Sequence, residues 1–149
     1  MSCFEMVTDK FRKHPNVTIN IPKRGTKNAC GYDFFSPEEF SLAPRESRLV
    51  WTDVKAKLPS TCMLAINVRS SMGKSLIALA NTQGWVDADY YSNPDNDGNI
   101  GIFLHNYGEK EYEVKVGQKI AQGMIVPFCV IEDEEVETER TGGFGSTGV

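Results

Sequence analysis

The chain is poorly supplied with the residues that make disulfide frameworks or metal centres. Its four cysteines, Cys3, Cys30, Cys62 and Cys129, lie far apart with no C-x-x-C pair. The two histidines, His14 and His105, are too isolated to complete a zinc-ligand spacing. Free, buried thiols in a reducing compartment such as the cytoplasm are the expectation. Long apolar runs are missing too: the longest, residues 124–131, is broken by Pro127 and is far too short to span a bilayer. Glu5, Asp9, Lys10 and Arg12 interrupt any apolar pattern at the start, so neither a secretory leader nor a membrane segment is expected. Positive charge is not in excess: 16 Lys and Arg against 20 Asp and Glu leave −4, which argues against nucleic acid as the main partner. Any polyanionic ligand must be held by a few local cations and backbone N–H groups.

What remains is ordinary globular composition, 40% hydrophobic and 24% charged over 149 residues, enough for one domain that buries its own core. The periodicity is that of strands. Val17, Ile19 and Ile21 alternate with polar residues before Pro22; Leu64, Ile66 and Val68 do so over residues 62–68. Ile100, Ile102 and Leu104 repeat the pattern, as do Tyr112, Val114 and Val116 before Gly117. Short alternating runs closed by Gly, Pro, Asn or Ser predict an all-β sandwich or barrel. One short helical turn is expected at residues 72–75, capped by Ser70-Ser71 and kept brief by Gly73. Residues 91–98 are dense in turn formers and read as a hairpin loop between strands at 85–90 and 99–104. A single domain over residues 1–149 is expected, with a variable leading segment (1–16), a β core (17–139) and a flexible Gly-rich tail (140–149).

Four segments hold residues suited to chemistry. In the tail, Arg140 precedes Gly142-Gly143-Phe144-Gly145-Ser146-Thr147-Gly148; bare backbone N–H groups and an arginine fork suit phosphate, and an aromatic ring suits a flat base. The segment lacks the lysine of a Walker-type loop. Arg69-Ser70-Ser71, directly after a strand, offers one cation and two hydroxyls. In Gly84-Trp85-Val86-Asp87-Ala88-Asp89-Tyr90, an alternating strand would put Asp87 and Asp89 on one side, where a carboxylate could orient and deprotonate water beside the Tyr90 ring. In Ala29-Cys30-Gly31-Tyr32-Asp33, Asp33 could face metal-bound water or an opposing arginine. Taken singly, each has a plainer reading: a frayed terminus, a surface arginine beside a cap, a solvated hairpin and an Asx turn.

Taken in order, these segments resemble the five motifs of the trimeric dUTP diphosphatase (dUTPase) family, with the match running from Val17 onward. Ala29 to Asp33 resembles the first motif, Arg69-Ser70-Ser71 the second and the run from Asn81 to Tyr90 the third. Gly117-Gln118-Lys119-Ile120-Ala121-Gln122 resembles the fourth, and Arg140 with the glycine-rich residues after it the fifth. The resemblance implies a distorted jelly-roll subunit in a homotrimer, with three active sites at subunit interfaces. It also implies Mg²⁺-assisted hydrolysis of dUTP to dUMP and pyrophosphate, which keeps dUTP out of DNA and supplies dUMP for dTMP synthesis. By the same resemblance Asp87 would hold the water that attacks the α-phosphorus, and Tyr90 would pack under the deoxyribose. Asn81 and the backbone from Gly84 would read the uracil edge, while Arg69, Ser70, Ser71 and Gln122 would serve substrate binding. Asp33 would organise the metal's water shell without direct ligation, and Arg140 with Phe144, Gly145, Ser146 and Thr147 would close over the nucleotide.

The sequence departs from the family pattern in four places. Ser71 replaces a usual glycine, and Gln118-Lys119 replaces an acid–arginine pair, losing a bidentate arm. The spacing from Arg140 to Phe144 is one residue shorter than the commonest form, and Trp85 stands where a smaller aliphatic residue is commoner. Two other readings stay open. A related dCTP deaminase would need a catalytic glutamate where this chain has Asp87. A phage-type, nucleotide-sensing regulatory binder would use residues 92–98 and 1–15 as partner surfaces, although plain solvation of both is expected first.

Overall fold

A computed structural model describes residues 1–132 and 135–143. The architecture is all-β, a distorted jelly roll in which every strand pairing is antiparallel. The largest sheet runs in the order β2 (Lys23–Arg24), β3 (Tyr32–Phe35), β12 (Lys119–Pro127), β7 (Cys62–Asn67), β9 (Gly84–Val86). A second sheet sets β10 (Gly101–Asn106) between β5 (Ser47–Trp51) and β8 (Ile77–Leu79). Two further pairs join β1 (Cys3–Met6) to β6 (Val54–Lys57), and β11 (Tyr112–Val114) to β4 (Phe40–Leu42).

Alternation explains how these strands build one core. Along β10, Ile102, Leu104 and Asn106 are buried while Gly101, Phe103 and His105 are only partly covered. Leu64 and Ile66 of β7, Phe34 of β3, Leu42 of β4, Val50 of β5 and Ile120 of β12 meet them in the same buried cluster. Each fully buried aliphatic or aromatic side chain there contributes about 1.5–3 kcal/mol of transfer free energy. The expected helical turn is present as α1 (Ser70–Lys74), with Arg69 rather than a serine at its N-cap.

Several expectations need correction. Residues 17–21 form no strand; at the start of the stretch Arg12 Nη2 donates to the Val17 carbonyl at 2.7 Å. Strand pairing begins at Cys3, inside the leading segment, where β1 pairs with β6 in the register Cys3↔Lys57 to Met6↔Val54. Val7 is buried, and the buried carboxylate of Asp53 accepts the backbone N–H groups of Lys13 and His14, each at 2.8 Å. The leading segment is therefore part of the barrel wall. The strands flanking residues 91–98 do not pair as a hairpin: β9 lies against β7, and β10 lies between β5 and β8. Nor are the thiols buried. Cys3, Cys30 and Cys129 are free and exposed, and Cys62 is free and half-buried.

Candidate active site

β9 ends at Val86, and Asp87 is still extended when the chain turns into a single 3₁₀ turn, Ala88–Tyr90. That turn, rather than strand alternation, brings Asp87 and Asp89 together. Arg140 joins them: its Nη2 donates to Asp87 Oδ2 at 2.5 Å and its Nε to Asp89 Oδ1 at 2.7 Å. The arginine side chain is only 11% exposed, whereas the two carboxylates are 58% and 60% exposed. The cation is thus embedded while the carboxylates keep open faces toward solvent. A guanidinium holding two carboxylates with separate N–H groups has a fixed orientation, which a lysine could not match.

The same turn buries Tyr90. Its hydroxyl donates to the Asn99 carbonyl at 2.6 Å and accepts from Asn96 Nδ2 at 2.8 Å. Burial pushes the Tyr90 hydroxyl above the ordinary tyrosine range; Asn96 and the Arg140 charge pull it back only in part. The Arg140 guanidinium carbon stands 5.8 Å from the ring centroid. Around these residues lies a cleft of about 260 Å³ with an aliphatic floor that includes Ile66, Leu79, Ile100 and Ile102. Asn81, Gly84, Asp87, Tyr90 and Arg140 all line it, so five of the residues singled out in the sequence meet in one cavity. Trp85 lines it as well, 67% exposed, with its indole N–H on Gln83 Oε1 at 2.7 Å. An apolar floor with a few convergent polar groups suits a flat base and a sugar.

A second cluster centres on Asp33. Asp33, buried on β3, takes Lys119 Nζ at 2.7 Å on one oxygen and Arg69 Nε at 3.3 Å on the other. Gln122 of β12 stands opposite Asp33 on one side and Asn67 on the other. A Cβ added at Gly31 would come within 3.1 Å of the Gln122 amide oxygen, so the first-motif turn presses on that side chain. Ser70 and Ser71 are exposed at the start of α1, and neither hydroxyl caps the turn. Arg69, Ser70, Ser71, Asp33 and Gln122 are not among the residues lining the cleft. Phe144, Gly145, Ser146 and Thr147 lie outside the described residues.

Lys119 and Asn96 were not legible as site residues, and Asp89, read beside Asp87, was not paired with Arg140. Lys119 read only as a departure from an arginine, yet its ammonium is the nearer of the two cations on Asp33. Asp89 shares Arg140 with Asp87. Asn96 reaches the Tyr90 hydroxyl from a segment that read as a solvated loop. The signal for the last was the density of amides after Tyr90, since Asn side chains bond readily to nearby backbone. Among the described residues no group of three or more His, Cys, Asp or Glu side chains is placed to hold a metal ion directly. No helix among them is long and apolar enough to cross a membrane.

Comparison with known proteins agrees with this geometry. The dUTPase family model matches residues 18–148. A deoxyuridine 5'-triphosphate nucleotidohydrolase of Lactococcus lactis is 41% identical over 148 residues, covering 97% of this chain and 96% of that protein. The mouse protein of the same name is 38% identical over 133 residues, covering 85% of this chain and 77% of its own. Among solved structures, the dUTPase of Streptococcus mutans superposes with a TM-score of 0.75 at 33% identity, covering 87% of this chain and 98% of that one. With a family match over residues 18–148 and a relative 41% identical over nearly the full length of both chains, this chain belongs to the dUTPase family.

Proposed function

We propose that this chain hydrolyses dUTP to dUMP and pyrophosphate, with Asp87 as the general base and the cleft beside β9 as the nucleoside site. The observation that carries the assignment is the position of Arg140, held on Asp87 and Asp89 at the wall of an apolar-floored cleft. An incoming triphosphate competes for that guanidinium, and releasing it frees Asp87. The carboxylate then orients a water toward the α-phosphorus and takes its proton as the new P–O bond forms. The bond to the bridging oxygen breaks, and pyrophosphate departs. Water attack on phosphorus depends mainly on positioning and charge stabilisation, which one oriented carboxylate and a few cations can supply. Tyr90 supplies the surface under the deoxyribose; Asn81 and the Gly84 backbone supply the polar edge for uracil.

The separation of the residues into two clusters supports a homotrimer with shared sites. Asn81, Asp87 and Tyr90 serve the nucleoside end, and Arg69, Ser70, Ser71 and Gln122 of a neighbouring copy serve the phosphates. Mg²⁺ would enter with the triphosphate. Asp33 fits a role through water better than direct ligation, since both of its oxygens already face cations. When bound, the ion would supply charge neutralisation on the phosphates. Within residues 92–98, Asn93, Asp97 and Gly98 are buried while Ser92, Pro94 and Asp95 are exposed, so only part of that loop offers a surface to a regulatory partner.

The test is pyrophosphate release from dUTP, dTTP, UTP and dCTP with Mg²⁺, with ammonia followed in parallel. Release from dUTP alone, without ammonia, is the expected result. Ammonia from dCTP would move the chain to the deaminase branch. Binding of dUTP without turnover would favour a nucleotide-sensing binder.

A further inference from the structure

The sheet that holds β3, β12, β7 and β9 has a second face, turned away from the core. Val68 packs against the core, so its neighbours Asn67 and Arg69 point the other way along an extended backbone. Asn67 stands in register with Gln122 of β12, and Gln122 with Asp33 of β3, which sets the three side chains in one row on that face. Arg69 and Lys119 both meet Asp33, leaving one positive charge in excess beside the row.

A relay of two side-chain hydrogen bonds ends on Asn67. Trp85 Nε1 donates to Gln83 Oε1 at 2.7 Å, and Gln83 Nε2 donates to Asn67 Oδ1 at 2.9 Å. Its direction is fixed at the tryptophan end, because an indole N–H can only donate. The Gln83 oxygen must therefore face Trp85 and its amino group must face Asn67, which holds the Asn67 oxygen toward Gln83. The Asn67 amino group points away from the relay, and among the described residues it donates to nothing. Asn67 is exposed, so this oriented donor is open to a ligand.

We propose that Asn67 Nδ2 is a further donor to the phosphate chain of the nucleotide, with Gln83 and Trp85 as the positioning residues that aim it. The proposal rests on the functional reading above, which gives Arg69 and Gln122 on this face to the phosphates. An anion there meets a guanidinium and two amides at adjacent positions of one sheet, beside an excess positive charge. A donor already held in orientation loses less rotamer freedom on binding than a free surface amide. The relay also gives Trp85 a use, since a smaller aliphatic residue has no N–H to set its direction. A phosphate contact present both before and at the transition state acts on KM and leaves kcat nearly unchanged.

The experiment measures kcat and KM on dUTP, and inhibition by inorganic pyrophosphate, with Mg²⁺ present throughout. Asn67→Ala should raise KM and the pyrophosphate inhibition constant by about tenfold each, with kcat within about twofold, the scale of one hydrogen bond to a charged group. Asn67→Asp keeps the oxygen that Gln83 bonds but sets a carboxylate against the phosphates, so it should bind worse than the alanine variant by about a further tenfold. A purely structural Asn67 would give the opposite order, because aspartate preserves the relay contact. Trp85→Phe keeps a ring but removes the N–H that sets the relay. It should raise KM by about threefold alone and by less than about 1.5-fold in the Asn67→Ala background, because the two residues act through one contact. An unchanged KM in Asn67→Ala, an Asn67→Asp variant that binds as well as the alanine variant or better, or an equal Trp85→Phe loss in both backgrounds would each overturn the proposal alone. A wild-type chain inert toward dUTP would instead overturn the functional reading, and this proposal with it.

Discussion

Arg140 and Asp87 are 53 positions apart in the chain and share a hydrogen-bonded ion pair, Nη2 to Oδ2 at 2.5 Å, with Asp89 completing the clasp. The residue that suits a phosphate thus rests on the carboxylate that suits a water. On the proposed reading, a triphosphate, with more negative charge than two carboxylates, would draw the guanidinium away from Asp87.

Arg140→Ala should therefore raise KM for dUTP by about tenfold or more, because a charge-assisted contact to the phosphates is lost. Stability should change little, since both carboxylates it meets are more than half exposed and remain hydrated. Steady-state kinetics with a thermal melt separates the two. An unchanged KM would mean that the arginine serves only the resting chain.

Tyr90→Phe keeps the ring but removes the hydroxyl that bonds Asn99 and Asn96. It should lower stability by about 1–2 kcal/mol, the scale for removing one partner of buried hydrogen bonds. Tyr90→Ala, by contrast, should weaken rejection of UTP, measured as the ratio of kcat/KM for dUTP to that for UTP. Unchanged discrimination in the alanine variant would remove Tyr90 from sugar selection. Because burial raises the Tyr90 hydroxyl, its neutral form is favoured by folding, and that contribution is lost only as pH climbs beyond the ordinary tyrosine range.

Lys55 and Asp97 form a buried ion pair at 3.0 Å, and Asp97 also accepts the Thr8 N–H at 2.8 Å. Burial pushes the Asp97 carboxyl up, but the Thr8 N–H and the Lys55 ammonium together outweigh it and hold the group below the usual range. A depressed carboxyl stabilises the fold in full above its unfolded value, near pH 3.9, and loses that contribution as pH falls through its folded value. Lys55→Met should cost about 3–5 kcal/mol by stranding the carboxylate. Asp97→Asn, which suits the left-handed backbone at φ 59°, should cost less and flatten the acid limb of a melting-temperature profile. A profile identical to wild type would dismiss the pair as a source of acid sensitivity.

Strand alternation made much of the fold legible. Leu64 and Ile66 on β7, and Ile102 and Leu104 on β10, are buried where their spacing put them. The same alternation misled at residues 17–21, because hydrophobic spacing does not say whether a partner strand is there to bond the backbone. It misled again around Asp87 and Asp89, whose shared side comes from a 3₁₀ turn that leaves no period of its own. The residues of the cleft were legible because their chemistry is local: an acid, an amide and a ring within ten positions. The Lys119–Asp33 pair and the Asn96–Tyr90 contact were not. The first depends on the register between β3 and β12, and the second on how an amide-rich loop folds back. The leading segment carries polar backbone contacts to Asp53 and Asp97, and such pairings between distant positions have no periodic signature.

The most direct test of the central claim is Asp87→Asn, measured for pyrophosphate release from dUTP and for binding of a non-hydrolysable dUTP analogue. Asparagine keeps the shape and a contact for Arg140 but cannot take a proton from water. Turnover should fall by about 10²–10⁴-fold while the analogue still binds within a few-fold of wild type. Turnover near the wild-type rate would contradict the account, because the proton would then be leaving the attacking water by another route.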